Sequence, residues 1–328
     1  MLKRILFIFI ILFAGVFIFF FIGQPPEAKE IQWGVNFSQK QAVNLKLNWQ
    51  EAYLAILNDL GVKNIRLAAY WDLIEPAENK YNFNDLDWQI KTAEEKGAKL
   101  LLVVGMKTPR WPECHEPDWV RIQNSKFKNQ NSLLEYVAKI VNRYENSEAI
   151  WAWQVENEPF FPFGECPWQD EEFLKKEVVL VKSLDNLARP VVISDSGEGS
   201  FWIKTARLGD VVGITMYRKV WFKEFKTYIR YRLPAIFYWR KAQIIKKLFD
   251  KDVIVTEFQA EPWCQNLLFD CQLAEQKKTM DLGQLRNNIK FAETVGLKGF
   301  YFWGAEWWYW LKEKQNNPEI WLEVKKLF

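Results

Sequence analysis

The sequence predicts an α/β fold: a single (β/α)8 TIM barrel preceded by an N-terminal transmembrane helix. Three observations predict it. Eight short apolar runs recur along the chain, helical patterns with readable ends lie between them, and an uncharged 18-residue run stands ahead of them all. Continuous apolar runs are the signature of parallel strands with both faces covered. Eight such alternations over roughly 300 residues fit one barrel. An open doubly wound sheet is the alternative, but no Gly-rich phosphate loop follows the first run.

The run at 5–22 follows Lys3 and Arg4 and contains no charge and no Pro. A membrane-spanning helix needs roughly 20 apolar residues. A cleaved signal has a shorter apolar core and a small-x-small site, which Phe21-Ile22-Gly23-Gln24-Pro25-Pro26 does not offer. Positive charge ahead of the span favours a cytoplasmic N-terminus. The expected organisation is a cytoplasmic segment over 1–4, a membrane anchor over 5–23, a linker over 24–31 and the barrel over 32–328. A cleaved signal peptide is the alternative. Either way the barrel is exported.

Strands are expected at 32–36, 64–67, 99–104, 150–155, 190–194, 211–216, 253–256 and 299–303. Between them, a helix over 49–60 follows Asn48, a good N-cap, and stops before the C-capping Gly61. The helix over 86–96 stops at Gly97 in the same way. Ser132 with Glu135 reads as a capping box opening a helix that ends near Tyr144. Helices over 173–188 and 274–295, a last one from near Pro318 and a short one over 201–207 complete the pattern.

Composition is globular, with 49% hydrophobic and 26% charged residues. A net charge of +3 is too small to imply a polyanion partner for the whole molecule, and no nucleic acid is expected. The 18 Trp are core fillers first. In loops after strands they would instead offer platforms to flat apolar faces such as sugar rings. Four Cys allow three pairings, and their spacing does not choose among them. An oxidising compartment favours disulfides; a zinc site is disfavoured because the spacings are wrong and His115 is the only His. Loop positions then predict two pairs. Cys114 follows the third strand and Cys166 the fourth, while Cys264 and Cys271 share the loop after the seventh.

Two carboxylates carry the chemistry. The fourth apolar run delivers Glu156-Asn157-Glu158-Pro159 and the seventh delivers Glu257, 99 residues after Glu158. That interval suits three barrel units, and barrel enzymes keep their chemistry at the C-terminal strand ends. Two such carboxylates can flank a glycosidic bond, one protonating the leaving oxygen while the other attacks the sugar carbon. One strand-end Glu is most often an ion-pair partner. A pair in this register is better read as catalytic.

At these residues the chain resembles clan A of the retaining glycoside hydrolases, the superfamily of β-galactosidases, cellulases and mannanases. The resemblance covers roughly 33–310. It implies Glu158 as acid/base, Glu257 as nucleophile, and substrate-binding roles for Arg66, Asn157, Tyr217 and Trp303. Asn157 can hydrogen-bond the sugar 2-hydroxyl, a contact that strengthens in the transition state. Arg66 and Tyr217 can donate to Glu257, holding it ionised and lowering its pKa. Glu158 must start protonated, so its pocket should raise its pKa. Trp303 would lie under the sugar, with core packing as the competing reading.

The chain departs from the family-five cellulases, which carry several histidines around this site. Thr215 stands two residues before Tyr217, where those enzymes often have His. The stretch 70–76 and the loop at 108–112 look more like the clan's β-galactosidases.

Residues 218–247 carry ten Lys/Arg and one acid, interleaved with aromatics. This stretch suits an anionic membrane surface, an anionic polysaccharide, or simply a solvated basic face. The function expected is a monomeric O-glycosyl hydrolase acting on a β-linked oligosaccharide or polysaccharide, with no cofactor and no metal, tied to the membrane by its N-terminal helix. A transglycosylase of the same clan, or a non-catalytic carbohydrate-binding barrel, are the alternatives.

Overall fold

In the computed structural model eight parallel strands close on themselves. They are β1 (Gln32–Phe37), β2 (Asn64–Ala68), β3 (Lys99–Val104), β4 (Ile150–Val155), β5 (Val191–Asp195), β6 (Val211–Met216), β7 (Asp252–Gln259) and β8 (Gly299–Trp303). Each pairs with its sequence neighbours, and β1 closes the ring against β8. The structure describes residues 2–28, 30–123, 125–167 and 170–328. Met1 of the expected cytoplasmic segment and Lys29 of the expected linker lie outside the described residues, as do Asn124, Trp168 and Gln169.

Strand alternation sorts the side chains. Leu100, Leu102 and Val104 of β3 face the helices, while Leu101 joins Ala152, Val192 and Tyr301 in a separate cluster inside the barrel. Toward the C-terminal end the inward positions turn polar: Asn36, Arg66, Gln154, Ser194 and Thr215 are all buried. A buried polar layer needs its own hydrogen bonds, and these belong to the site described below.

The helix ends agree where a side chain caps them. Asn48 Oδ1 accepts from the backbone N–H of Gln50 and Glu51 at the start of Trp49–Asn58. Two expectations need correction. Lys126–Tyr144 begins at Ser125, so Ser132 and Glu135 are interior residues and form no capping box. The buried stripe Asn129, Leu133, Tyr136, Val137, Ile140, Val141 and Tyr144 explains it, because packing of one face extends the helix past a weak former such as Ser132. The helix expected over 274–295 is two pieces, Leu273–Gln276 and Leu282–Val295. Asp281 caps the second by accepting from the Gln284 N–H at 2.7 Å, which restarts the helix there.

The basic stretch resolves into an antiparallel hairpin, Lys219–Phe222 with Thr227–Arg230, and the helix Ala235–Phe249. Its cations do not all face solvent. Lys241 is buried, donates to the Gly197 carbonyl at 2.7 Å and sits over the Trp202 ring. Arg218 is buried over Phe291. Helices Gln39–Asn44, capped by Ser38 Oγ accepting from the Gln41 N–H at 3.2 Å, and Ala305–Lys314 were not among the expected helices. Ahead of the barrel, Leu2–Phe21 is helical and contains an 18-residue window, Arg4–Phe21, long and apolar enough to cross a membrane. Both expected disulfides are formed, Cys114–Cys166 and Cys264–Cys271.

Candidate active site

The β4 end presents its carboxylates through an unusual backbone. Glu156 and Glu158 have φ of +59° and +43°, a region costly for residues with a Cβ and common at functional sites. Glu156 is held by accepting from the backbone N–H groups of Met106 (2.8 Å) and Lys107 (2.5 Å). That carboxylate lies so close to Gly105 that a Cβ there would meet Glu156 Oε1 at 2.4 Å. The turn then points Glu158 into the barrel mouth. Its backbone N–H donates to Ser194 Oγ at 2.8 Å, and Lys107 Nζ donates to its carbonyl at 3.0 Å.

Glu257 reaches the same mouth through a β-bulge. Against β6, Ile214 pairs with Val255 but Thr215 pairs with Glu257; against β8, Phe300 pairs with Val255 and Phe302 with Phe258. One residue of β7 is therefore extra on both sides. Strict alternation would send Glu257 outward with Val255, toward the helices. The extra residue resets the alternation, so Phe258 packs outward and Glu257 faces the interior. Asn36 steadies the bulge: its Nδ2 donates to the Thr256 carbonyl at 2.9 Å.

Arg66 joins the parts. Its Nη1 donates to Glu257 Oε1 and to Asn36 Oδ1, each at 2.8 Å, its Nη2 to Asn157 Oδ1 at 2.7 Å and its Nε to Gln154 Oε1 at 2.8 Å. Tyr217 donates its hydroxyl to Glu257 Oε2 at 2.7 Å, so each carboxylate oxygen has a donor. The Tyr217 N–H in turn donates to Glu198 Oε1 at 2.9 Å.

Glu158 sits in a different environment. Burial first, then the charges of Glu257 and Glu113, push its carboxyl well above the usual carboxylate range. Thr215 Oγ1 donates to its Oε1 at 3.2 Å, so a hydroxyl stands where the cellulases often have His. His115 is elsewhere: it contacts Lys40 Nζ and the Arg110 carbonyl, and burial pushes its pKa down to about 3.

Trp303 is 7% exposed at the end of β8, and the Arg110 guanidinium lies 3.9 Å from its ring centroid. Arg110 is itself held by Glu261 and by Glu306 (2.8 Å). One face of Trp303 is thus taken by Arg110, and the side chain also packs in a cluster with Tyr217 and Val220. Trp263 lines the same wall, edge-on to Tyr217 with centroids 4.9 Å apart. Asn36, Gln154, Ser194 and Glu113 were not singled out from the sequence. Gln154 could have been, since a polar residue at an inward strand position has to be partnered.

The eightfold closure, the two strand-end glutamates and the β2 arginine resemble the arrangement of the glycoside hydrolase clan A barrels, and the similarities to known proteins point the same way. A family model described as beta-galactosidase, of glycoside hydrolase family 42, matches residues 44–175, a span that holds Arg66 and Glu158 and stops short of Glu257. Beta-galactosidase BgaA of Clostridium cellulovorans is 29% identical over 175 residues, covering 47% of this chain and 26% of the relative. Beta-galactosidase LacZ of Lactobacillus acidophilus is 26% identical over 218 residues, covering 58% and 32%. The chain thus spans a third or less of the length of these curated relatives. The beta-galactosidase of Rahnella sp. R3 shares the fold with a TM-score of 0.62 at 12% identity, over 93% of this chain and 57% of that one. A family 5 subfamily 18 protein from Bifidobacterium longum gives a TM-score of 0.60 at 14% identity, over 84% and 70%.

Proposed function

We propose that this chain is a retaining β-glycosidase working by double displacement. The observation that carries the reading is the contrast between two neighbouring glutamates. Glu257 has a donor on each oxygen, Arg66 and Tyr217, which suits a carboxylate that attacks. Burial and then the charge of Glu257 push the Glu158 carboxyl well above the usual carboxylate range, which suits an acid. In the first step Glu257 attacks the anomeric carbon while Glu158 gives its proton to the leaving oxygen. A glycosyl ester on Glu257 results. Glu158, now ionised, takes a proton from water as that water attacks the same carbon, and the product keeps its configuration. Asn157 is read as the 2-hydroxyl ligand, and Trp303 as one wall of the subsite.

The apolar N-terminal helix and the two disulfides favour an extracytoplasmic, membrane-anchored barrel. The relatives named beta-galactosidase make an aryl β-galactoside the first substrate to try. Turnover of that compound or of another aryl β-glycoside, with a 2-fluoro glycoside labelling Glu257, is the expected result. A label on another residue, or an inverted product, overturns the assignment. Sugar products in place of water products would redirect the reading to a transglycosylase.

A further inference from the structure

Glu113 is a third carboxyl in the barrel mouth, and the two-glutamate mechanism leaves it unused. It lies in the loop after β3 with φ of +74° and 5% exposure. Its Oε2 accepts from Asn157 Nδ2 at 2.9 Å, and its other oxygen has no hydrogen-bond partner among the described residues. Asn157, its hydrogen-bond partner, precedes Glu158 in the chain and shares the Arg66 guanidinium with Glu257. Glu113 is thus one hydrogen bond removed from the group that joins the two glutamates, and their charges act on it and it on them. Burial, then Glu257, pushes its pKa up to about 8. At neutral pH it is mostly a carboxylic acid, able both to donate and to accept.

The loop is built to hold it there. The Glu113 N–H donates to the Arg110 carbonyl at 2.7 Å, and the Thr108 N–H donates to the Glu113 carbonyl at 2.8 Å. Next to it, Cys114 is bonded to Cys166 of the β4 loop. That second loop closes over the residue at Gly164, where a Cβ would meet Glu113 Cβ at 2.5 Å. A side chain so fixed, with a carboxyl oxygen unpartnered among the described residues, is placed to read a substrate.

The anomeric carbon has to sit between Glu158 and Glu257, and the carbon bonded to it carries the 2-substituent. Asn157 adjoins Glu158 in the chain and is tied through Arg66 to Glu257, and Glu113 is bonded to Asn157, which brings both side chains toward that position. We propose that Glu113 is a specificity-determining residue that grips the sugar 2-hydroxyl jointly with Asn157. The inference rests on the glycosidase reading above and adds a residue and a substrate requirement to it.

The test compares an aryl β-glycoside with its 2-deoxy analogue in wild type, Glu113→Ala and Glu113→Gln. The ratio of kcat/KM for the two compounds cancels their intrinsic reactivities. In Glu113→Ala the preference for the 2-hydroxy compound should fall about 10-fold, the worth of one hydrogen bond to a polar site. Glu113→Gln should keep most of it, because an amide can accept from Asn157 and still donate to the sugar. An Ala variant with an unchanged ratio overturns the proposal, as does a Gln variant no better than Ala. A wild type that turns over no aryl glycoside removes the glycosidase reading and this inference with it. A wild type that is active while the ratio stays fixed removes only the role of Glu113.

Discussion

Arg66 and Glu257 form an ion pair of 2.8 Å between β2 and β7, with side chains 0% and 4% exposed. Breaking a buried pair on one side strands the other charge and costs about 3–5 kcal/mol. Arg66→Met would also leave the side-chain oxygens of Asn36 and Gln154 without a donor and that of Asn157 with the Ser194 hydroxyl alone. It should lower the unfolding midpoint by several degrees and abolish activity, as read by thermal unfolding and aryl glycoside turnover. Arg66→Lys should recover only part of either, since an ammonium cannot reproduce the planar fork.

Replacing the two glutamates separates their roles. Glu257→Ala should lose turnover on every substrate and take no label from a 2-fluoro glycoside. With Glu158→Ala, substrates with poor leaving groups should suffer most, because they depend on protonation. An activated aryl glycoside should keep more of its first-step rate, and azide should restore turnover as a glycosyl azide of retained configuration. Equal losses on good and poor leaving groups would sink the acid assignment.

The pH profile follows from the raised pKa of Glu158. Its protonated form is the acid, so kcat/KM falls as pH rises through that pKa. Thr215 Oγ1 donates to the carboxyl and favours its ionised form. Thr215→Val removes the donor, raises the pKa further and should move the alkaline limb to higher pH. A limb that moves down, or does not move, would show that Thr215 does not act on Glu158.

The two disulfides should differ in worth. Cys114–Cys166 spans 52 residues and Cys264–Cys271 spans 7. Loop-closure entropy then gives about 4 kcal/mol for the first and about 2 kcal/mol for the second. Paired Cys→Ala variants, compared by denaturant unfolding, should lose stability in that order. The Cys114/Cys166 pair should also lose activity, because Glu113 is next to Cys114 in the same loop.

Processing provides a check on the N-terminal segment. The anchor reading expects the native protein in the membrane fraction with residues 5–23 still attached. Mass analysis that finds a new N-terminus near Gln24 would replace the anchor with a cleaved signal.

Local patterns carried much of this protein. Apolar runs of four to six residues marked all eight strands, since a parallel barrel strand buries both faces and needs no distant information to be seen. Glu158 and Glu257 were legible for the same reason, each sitting where an apolar run ends. Arg66 and Tyr217 could be placed beside Glu257 only through resemblance. Other features depended on contacts that no local pattern encodes. The helix Lys126–Tyr144 ran past Ser132 because one face packs, and the chain at 274–295 broke where Asp281 could cap. Most consequential is the bulge in β7. Alternation along 253–257 puts Glu257 on the same face as Val253 and Val255, pointing away from the site. Pairing with β6 and β8, with Asn36 on the Thr256 carbonyl, inserts the extra residue that turns it inward. Glu113 was silent for a related reason: an acid in a loop has no periodicity, and only closure of the β3 and β4 loops by Cys114–Cys166 buries it beside Asn157. The sequence determined which residues stand at the strand ends. Which way they face, and which loop carboxyl joins them, was decided by strand register and loop packing, because both depend on partners far away in the chain.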